Sequence, residues 1–550
     1  MKKIIKKLAV ASIALSCFAG CGSDQQANEK TKDTTAEKSK TVQLMSLSEL
    51  TTLDTAGMLD FPDAITHTAA FEGLYTLDEN DELIPAAAKD LPEISEDGLI
   101  YTIKLRENMQ WSNGDTVTAK DFEYAWKRVT DPENAYVYSF LVQENIKNGV
   151  EVAAGEKPVS ELGVKALDDY TLEVELTEAK PYFTSLMAFS TFLPQNEKAV
   201  EEFGEKYGTT SETVVYNGPF IVENWSQSEI TWDLKKNPDY WDADNVKVDA
   251  VHYETIKEGS TALNLYEDDS LDLAYLSGTL AEMNMNHADF KSYPTATMNY
   301  IRFNQKRAGA DTPLANENLR KALALGIDKE TLIRNVVADG SVPLYGAITE
   351  GFVKNPVTEE DFRSEAGDLA VFNETEALKY WEAAKKELGE KIEIELMTTD
   401  ADQYKKLGES IQGEWQNRFD GLTVTIRSLP TQTALNISAE SDYDAFLIYW
   451  TPDYQDPIST LKMLYSGNNR NYNNPAYDAL LDQAAKDYAL EPEKRWQALL
   501  DAEKVGIEDT AGMLILSQNQ QTVLQNPELK GVNFHTFGAP LTLKNLEWQE

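Results

Sequence analysis

A chain of 550 residues, 42% hydrophobic and 10% aromatic, exceeds one small domain and can fill several domain-sized cores. Its 92 acidic and 50 basic residues leave a formal charge of −42, a surface that repels phosphate backbones and excludes a nucleic-acid partner. The two cysteines, Cys17 and Cys21, both lie near the N-terminus, so the rest of the chain has no disulfide, thiol nucleophile or Cys-ligated zinc.

Lys2, Lys3, Lys6 and Lys7 precede the apolar run Leu8–Leu15 and then small residues, the order of a secretory signal. That run is too short to span a bilayer. Phe18-Ala19-Gly20-Cys21 followed by Gly22-Ser23 resembles a bacterial lipobox, with Phe18 where leucine is usual. Residues 1–20 are therefore predicted to be a lipoprotein signal and Cys21 the lipidated residue. From 22 to 41 there is no aromatic residue and no aliphatic one larger than alanine. Residues 21–41 read as a flexible lipidated tether that holds the body at the extracytoplasmic face of a cell membrane.

Order is expected from about Val42. Tyr101–Leu105 alternates as a strand, and Asn113-Gly114 marks a turn. Thr118 and Asp121 open a helix with Phe122, Trp126 and Val129 on one face, and Asp131-Pro132 ends it. Tyr170–Leu176 alternates again, and Asn217-Gly218-Pro219 is a turn. From about Asn316 helices and strands alternate. Leu319, Ala322, Leu323 and Ile327 form one stripe, and Asp328 caps a second helix. Asn373 with Glu376 reads as a capping box for a helix carrying Leu378, Trp381 and Leu388, closed by Gly389. Strand Ile392–Met397, a helix with Tyr404, Leu407, Ile411, Trp415 and Phe419, and strand Leu422–Ile426 follow. This βαβ rhythm predicts an α/β domain with a largely parallel sheet.

The chain carries no GxxxxGK, GxGxxG, GxSxG or HExxH motif. Its four histidines, His67, His252, His287 and His535, are isolated in sequence, which suits packing better than acid–base work. Trp126, Trp381, Trp415 and Trp496 lie on apolar helix faces and read as core, whereas Trp450, Tyr454 and Tyr138 lie at strand ends or in loops. The stretch Tyr443–Pro457 stands out. Ala445–Tyr449 reads as a buried strand stopped by Pro452, and beyond it come Trp450, Asp453, Tyr454 and Asp456. Those residues alone fit an ordinary acidic turn as well as a ligand site at a strand end.

An ordered set of stretches resembles the solute-binding lipoproteins of oligopeptide ABC transporters, the large peptide-binding class of family 5. They are Phe71–Tyr75 (FEGLY), Tyr101–Arg106 (YTIKLR), Trp111–Phe122 (WSNGDTVTAKDF), Asn217–Phe220 (NGPF), Lys236–Asp242 (KNPDYWD), Thr261–Tyr266 (TALNLY), Asn318–Asp328 (NLRKALALGID) and Trp450–Pro457. The resemblance implies a bilobed α/β fold of the periplasmic-binding-protein type with an extra domain inserted in lobe one. It implies a lobe-one core of 42–88, 212–325 and 521–550, an inserted domain at 89–211, and lobe two at 326–520. A peptide would lie between lobes that close around it. Asp453 would grip the ligand's α-amino group, beside Trp450 and Tyr454, with Tyr138 and Asn304 also at the cleft. Relatives with an arginine on the strand before the tryptophan hold a ligand carboxylate there; Ala445–Tyr449 has none.

The implied protein is a monomer without cofactor or catalysis that hands oligopeptides to an ABC permease. Other readings are a receptor for one signalling peptide, a binder of a non-peptide solute, and, least favoured, a secreted hydrolase.

Overall fold

A computed structural model describes residues 41–549. The predicted signal, Cys21 and the tether up to residue 40 lie outside the described residues. Two sheets organise the rest. Their strands, in chain order, are β1 (Thr41–Ser46), β2 (Glu93–Ile94), β3 (Ile100–Lys104), β4 (Val164–Asp168), β5 (Thr171–Glu175), β6 (Phe220–Glu223), β7 (Thr231–Lys236), β8 (Ala250–Thr255), β9 (Leu273–Leu276), β10 (Phe290–Phe303), β11 (Ile392–Thr399), β12 (Leu422–Leu429), β13 (Ala445–Trp450) and β14 (Met513–Gln525).

The smaller sheet, β2-β3-β5-β4, is antiparallel throughout. It is covered by helix α1 (Ala119–Thr130), which starts as its sequence predicts: the Asp121 carboxylate accepts the Thr118 N–H at 2.6 Å. Phe122, Trp126 and Val129 are buried beneath it, and the Trp126 indole donates to the Phe192 carbonyl at 2.9 Å.

The large sheet runs β12-β11-β13-β10-β14-β9-β1-β8-β7-β6. It has two halves that share only β10 and β14. At one end of these long strands β9 pairs with Thr522–Gln525, and at the other β13 pairs with Met298–Phe303. Between them the register of β10 breaks at Pro294–Met298, because proline brings no ladder donor. There the sheet narrows to a ribbon joined, among the described residues, by the two-residue strand Val342–Pro343. The Gln518 amide spans the break, donating to the carbonyls of Thr295 and Glu350 at 3.0 and 2.9 Å. A narrow, bulged ribbon between two broad half-sheets is where bending is easiest. The first passage of the chain between these half-sheets falls at Pro294–Met298.

The expectation of a largely parallel sheet holds in part: β1 runs parallel to both β8 and β9. β11 runs parallel to β12 and β13, but β10 pairs antiparallel with both β13 and β14. The periodicity of β11–β12–β13 reports the βαβ units but not the two long strands inserted beside them.

Helices α2 (Glu317–Leu325), α3 (Lys329–Leu332), α4 (Glu374–Leu388) and α5 (Asp402–Arg418) belong to this half, and Asp328 caps α3 as predicted. Leu319, Ala322, Leu323, Ile327, Trp381 and Trp415 pack with Ile301, Phe303 and Leu447 on one face of the sheet. In α4 two details differ from the sequence reading. Asn373 accepts the Glu376 N–H, but the Glu376 carboxylate turns to Lys379, so the box is half made. The buried face is Ala377–Trp381–Ala384, while Leu378 and Leu388 are 39% and 38% exposed. Two small residues flanking the indole let α4 approach α2 closely.

Candidate functional site

Tyr443–Pro457 ends at the junction of the two halves. Ala445–Ile448 are buried, which accounts for an apolar run of β-formers, and Tyr449 is 48% exposed. β13 pairs with β10 through Trp450, yet its pairing to β11 stops at Leu447. Ile448–Trp450 therefore extend beyond the last pairing with β11. Pro452 then ends the strand, and the Ser459 hydroxyl accepts the Asp453 N–H at 3.0 Å to hold the loop.

The acidic cluster divides by geometry. Asp456 caps the short helix Pro457–Leu461 and pairs with Arg495 at 2.8 Å, both nearly fully buried, so its charge is spent inside the fold. Asp453 is half-buried, and among the described residues its carboxylate has neither a hydrogen bond nor an ion pair. Burial pushes its pKa above the ordinary aspartate range; Lys462 opposes the shift and Glu144 adds to it. A desolvated carboxylate facing a second acid is a site for a cation.

Tyr138, in the turn Val137–Ser139, comes to the same place. Its phenol is pushed up by burial and then by the charges of Asp453 and Asp60, and its ring packs on Phe189 at 5.4 Å. Trp450 is half-buried, with its indole N–H lacking an acceptor among the described residues. Tyr454 is less open than its loop position suggests. It is 6% exposed and stacks on Tyr182, centroids 4.3 Å apart, with the Lys462 ammonium 5.0 Å from its ring centre.

Asn304 does not join them. β10 and β13 are antiparallel, so Asn304 sits by the start of β13 and Trp450 at its end, roughly 20 Å along the strand at about 3.3 Å per residue. Its amide is buried and fully used: it donates to the carbonyls of Ser441 and Tyr443 and accepts from Asn471 and Lys306. In this structure the Asn304 side chain braces the loop that leads into β13.

Tyr182 and Gln455 were missed by sequence reasoning. Gln455 donates to the carbonyls of Phe352 and Asp81 at 3.2 and 3.4 Å, and Lys354 pairs with Glu82 at 3.1 Å. Together with the Tyr182–Tyr454 stack these contacts close the gap between the two halves. Tyr182 follows Pro181 in a loop, with no periodicity to mark it, and its partner lies far away in sequence. Of the histidines, His252 bonds Asp233, and His535 lies between Asp81 and Thr542.

Comparison with known proteins agrees with this architecture. Residues 82–472 match the model of bacterial extracellular solute-binding proteins, family 5. The chain is 30% identical to the dipeptide-binding protein DppE of Bacillus subtilis, across 100% of this chain and 99% of that one. Among solved structures, a peptide-bound OppA of Listeria monocytogenes is 38% identical with a TM-score of 0.74, covering 93% of this chain and 99% of that chain. The pheromone receptor PrgZ is 32% identical with a TM-score of 0.75, covering 93% and 100%. With two half-sheets hinged on paired long strands and the family match over most of its length, the chain belongs to the family 5 bacterial extracellular solute-binding proteins.

Proposed function

We propose that this protein captures oligopeptides between its two lobes and delivers them to an ABC transporter permease for uptake. The carrying observation is the unpartnered, half-buried Asp453 at the overhanging end of β13, with Trp450, Tyr454 and Tyr138 around it. The α-amino group of a peptide supplies the cation that Asp453 lacks. The peptide backbone extends along the overhang of β13 as an added strand, so main-chain hydrogen bonds give affinity without reading sequence. Tyr182 on Tyr454 and Gln455 on Asp81 then latch the halves over the ligand.

On this reading residues 42–88, 212–325 and 521–550 form lobe one, 89–211 its inserted domain, and 326–520 lobe two. Cys21 carries the lipid anchor, the body works as a monomer at the membrane's outer face, and the protein performs no catalysis. Native mass spectrometry of protein purified from its own host provides the test. A ladder of bound peptides is expected. A bound non-peptide solute, or equal affinity for free-amine and N-acetylated tripeptides by calorimetry, would count against the proposal.

A further inference from the structure

The hairpin of Tyr75–Leu77 and Leu83–Pro85 is closed by Asp78. The Asp78 carboxylate accepts the Asn80 and Glu82 N–H groups at 2.8 and 3.0 Å, and its own N–H donates to the Glu82 carbonyl at 2.9 Å. That turn is complete without the side chain of Asp81, which stands at the tip with φ of 60°. Yet the Asp81 carboxylate is saturated. One oxygen meets His535 Nδ1 at 2.6 Å, and the other accepts the Thr536 N–H and hydroxyl at 3.0 and 2.6 Å. The His535 side chain is 2% exposed and is held in turn at Nε2 by the Thr542 hydroxyl, 2.7 Å away. Burial would raise the pKa of Asp81, but the bonds from His535 and Thr536 bring it below the ordinary aspartate value.

These bonds do not shape the turn; they aim it. The C-terminal segment that supplies them belongs to the β9 half, where Phe534 packs on Tyr275 of β9 with ring centres 6.1 Å apart. The tip points at the other half. There the Asp81 carbonyl accepts from the Gln455 amide at 3.4 Å, and Glu82 pairs with Lys354 at 3.1 Å. Gln455 lies two residues beyond Asp453, so one loop carries both the proposed partner of the α-amino group and the contact across the gap.

Both cross-gap contacts are individually weak: the hydrogen bond is long, and the paired Lys354 and Glu82 side chains are 50% and 63% exposed. Contacts of this kind hold only when their geometry is fixed beforehand, because ordering a mobile turn would cost more than they contribute. The bonds of Asp81 to His535 and Thr536 remove that cost.

We propose that Asp81 and His535 are positioning residues for peptide retention: they hold the 78–82 turn as a preset clasp that closes on Gln455 and Lys354 and slows peptide release without touching the peptide. Its role rests on the peptide reading of Asp453, and it makes the C-terminal segment a determinant of affinity. None of its groups reads a ligand side chain, so it acts on every peptide alike.

Stopped-flow release of two tripeptides of different sequence, each with a free N-terminus and a dye at the C-terminus, tests the clasp. In Asp81→Ala and His535→Ala release should speed about three- to tenfold, by the same factor for both peptides, with association within about twofold of wild type. The acceleration should vanish when Gln455→Ala and Lys354→Ala are already present, since the turn then has nothing to hold. Unchanged release, or acceleration that is equal with and without Gln455 and Lys354, would overturn the clasp whatever the melting temperature does. If the Asp81 and His535 variants do not fold, the pair Glu82→Ala and Gln455→Ala, at exposed and half-buried positions, decides alone by the same release rates. Failure of both peptides to bind the wild type would instead sink the peptide reading beneath it.

Discussion

Replacing Asp453 by asparagine keeps the shape of the side chain and one acceptor oxygen but removes the charge that faces the proposed α-amino group. Among the described residues the carboxylate has no hydrogen bond or ion pair, so no direct contact of the fold is lost with that charge. A hydrogen bond to a charged group contributes about 1.5–3 kcal/mol, and each 1.4 kcal/mol is tenfold in affinity, so Asp453→Asn should weaken a free-amine peptide about 10- to 100-fold. Lys462 nearby and the partial exposure of the site favour the lower end. The assay is a cycle: calorimetry of tri-alanine and N-acetyl-tri-alanine on wild type and variant. Acetylation should cost the wild type at least about tenfold and the variant little, since the two changes remove the same interaction. The ligand-free variant should melt no lower than wild type, because a desolvated charge has been removed. Unchanged affinity, or an acetylation cost equal in both proteins, refutes the argument.

Burial raises the pKa of Asp453, so peptide affinity should fall with decreasing pH earlier than for a free aspartate titrating near 3.9. For the ligand-free fold the sign is opposite: the cost of the ionised, desolvated group is full above its folded pKa and vanishes as pH falls below the unfolded value. Calorimetry across pH 3–7 on wild type and Asp453→Asn checks both, and an unchanged profile in the variant would count against Asp453 as the titrating group. Tyr182→Ala removes the stack on Tyr454, worth about 0.5–1.5 kcal/mol beyond its area. Stopped-flow traces should show faster peptide release with association within about threefold; unchanged release would mean the stack is no latch. Glu503 is fully buried, pairs with Arg363 at 2.7 Å and accepts the Ala347 and Ile348 N–H groups, so Glu503→Gln should cost about 3–5 kcal/mol in urea melts. A loss under about 1 kcal/mol would show that Arg363 finds another partner.

Local chemistry was legible wherever it is local. The Thr118–Asp121 box, the Asp328 cap, the turn at Gly114 with φ of 87°, and strands β11–β13 follow from capping, backbone freedom and apolar alternation. Trp450, Asp453, Tyr454 and Tyr138 stood out because they lie at a strand end or in loops rather than on an apolar face. The sequence could not distinguish Asp453 from Asp456. Both follow the same strand within six residues, and only the arrival of Arg495 separates the buried ion pair from the free carboxylate.

Tertiary structure alone decided everything that depends on distant pairing. β10 and β14 stand more than 200 residues apart, and their antiparallel register makes both the hinge ribbon and the mixed sheet. The same register carries Asn304 to the far end of β13 from Trp450, and it sets Arg302 and Tyr300 on the Trp450 face. Periodicity records which face of its own element a residue occupies, since that is fixed by backbone geometry within a few residues. Which element lies opposite is chosen by the packing of the whole chain, and the pairing of Asp456 with Arg495 that leaves Asp453 apart exists only through that choice.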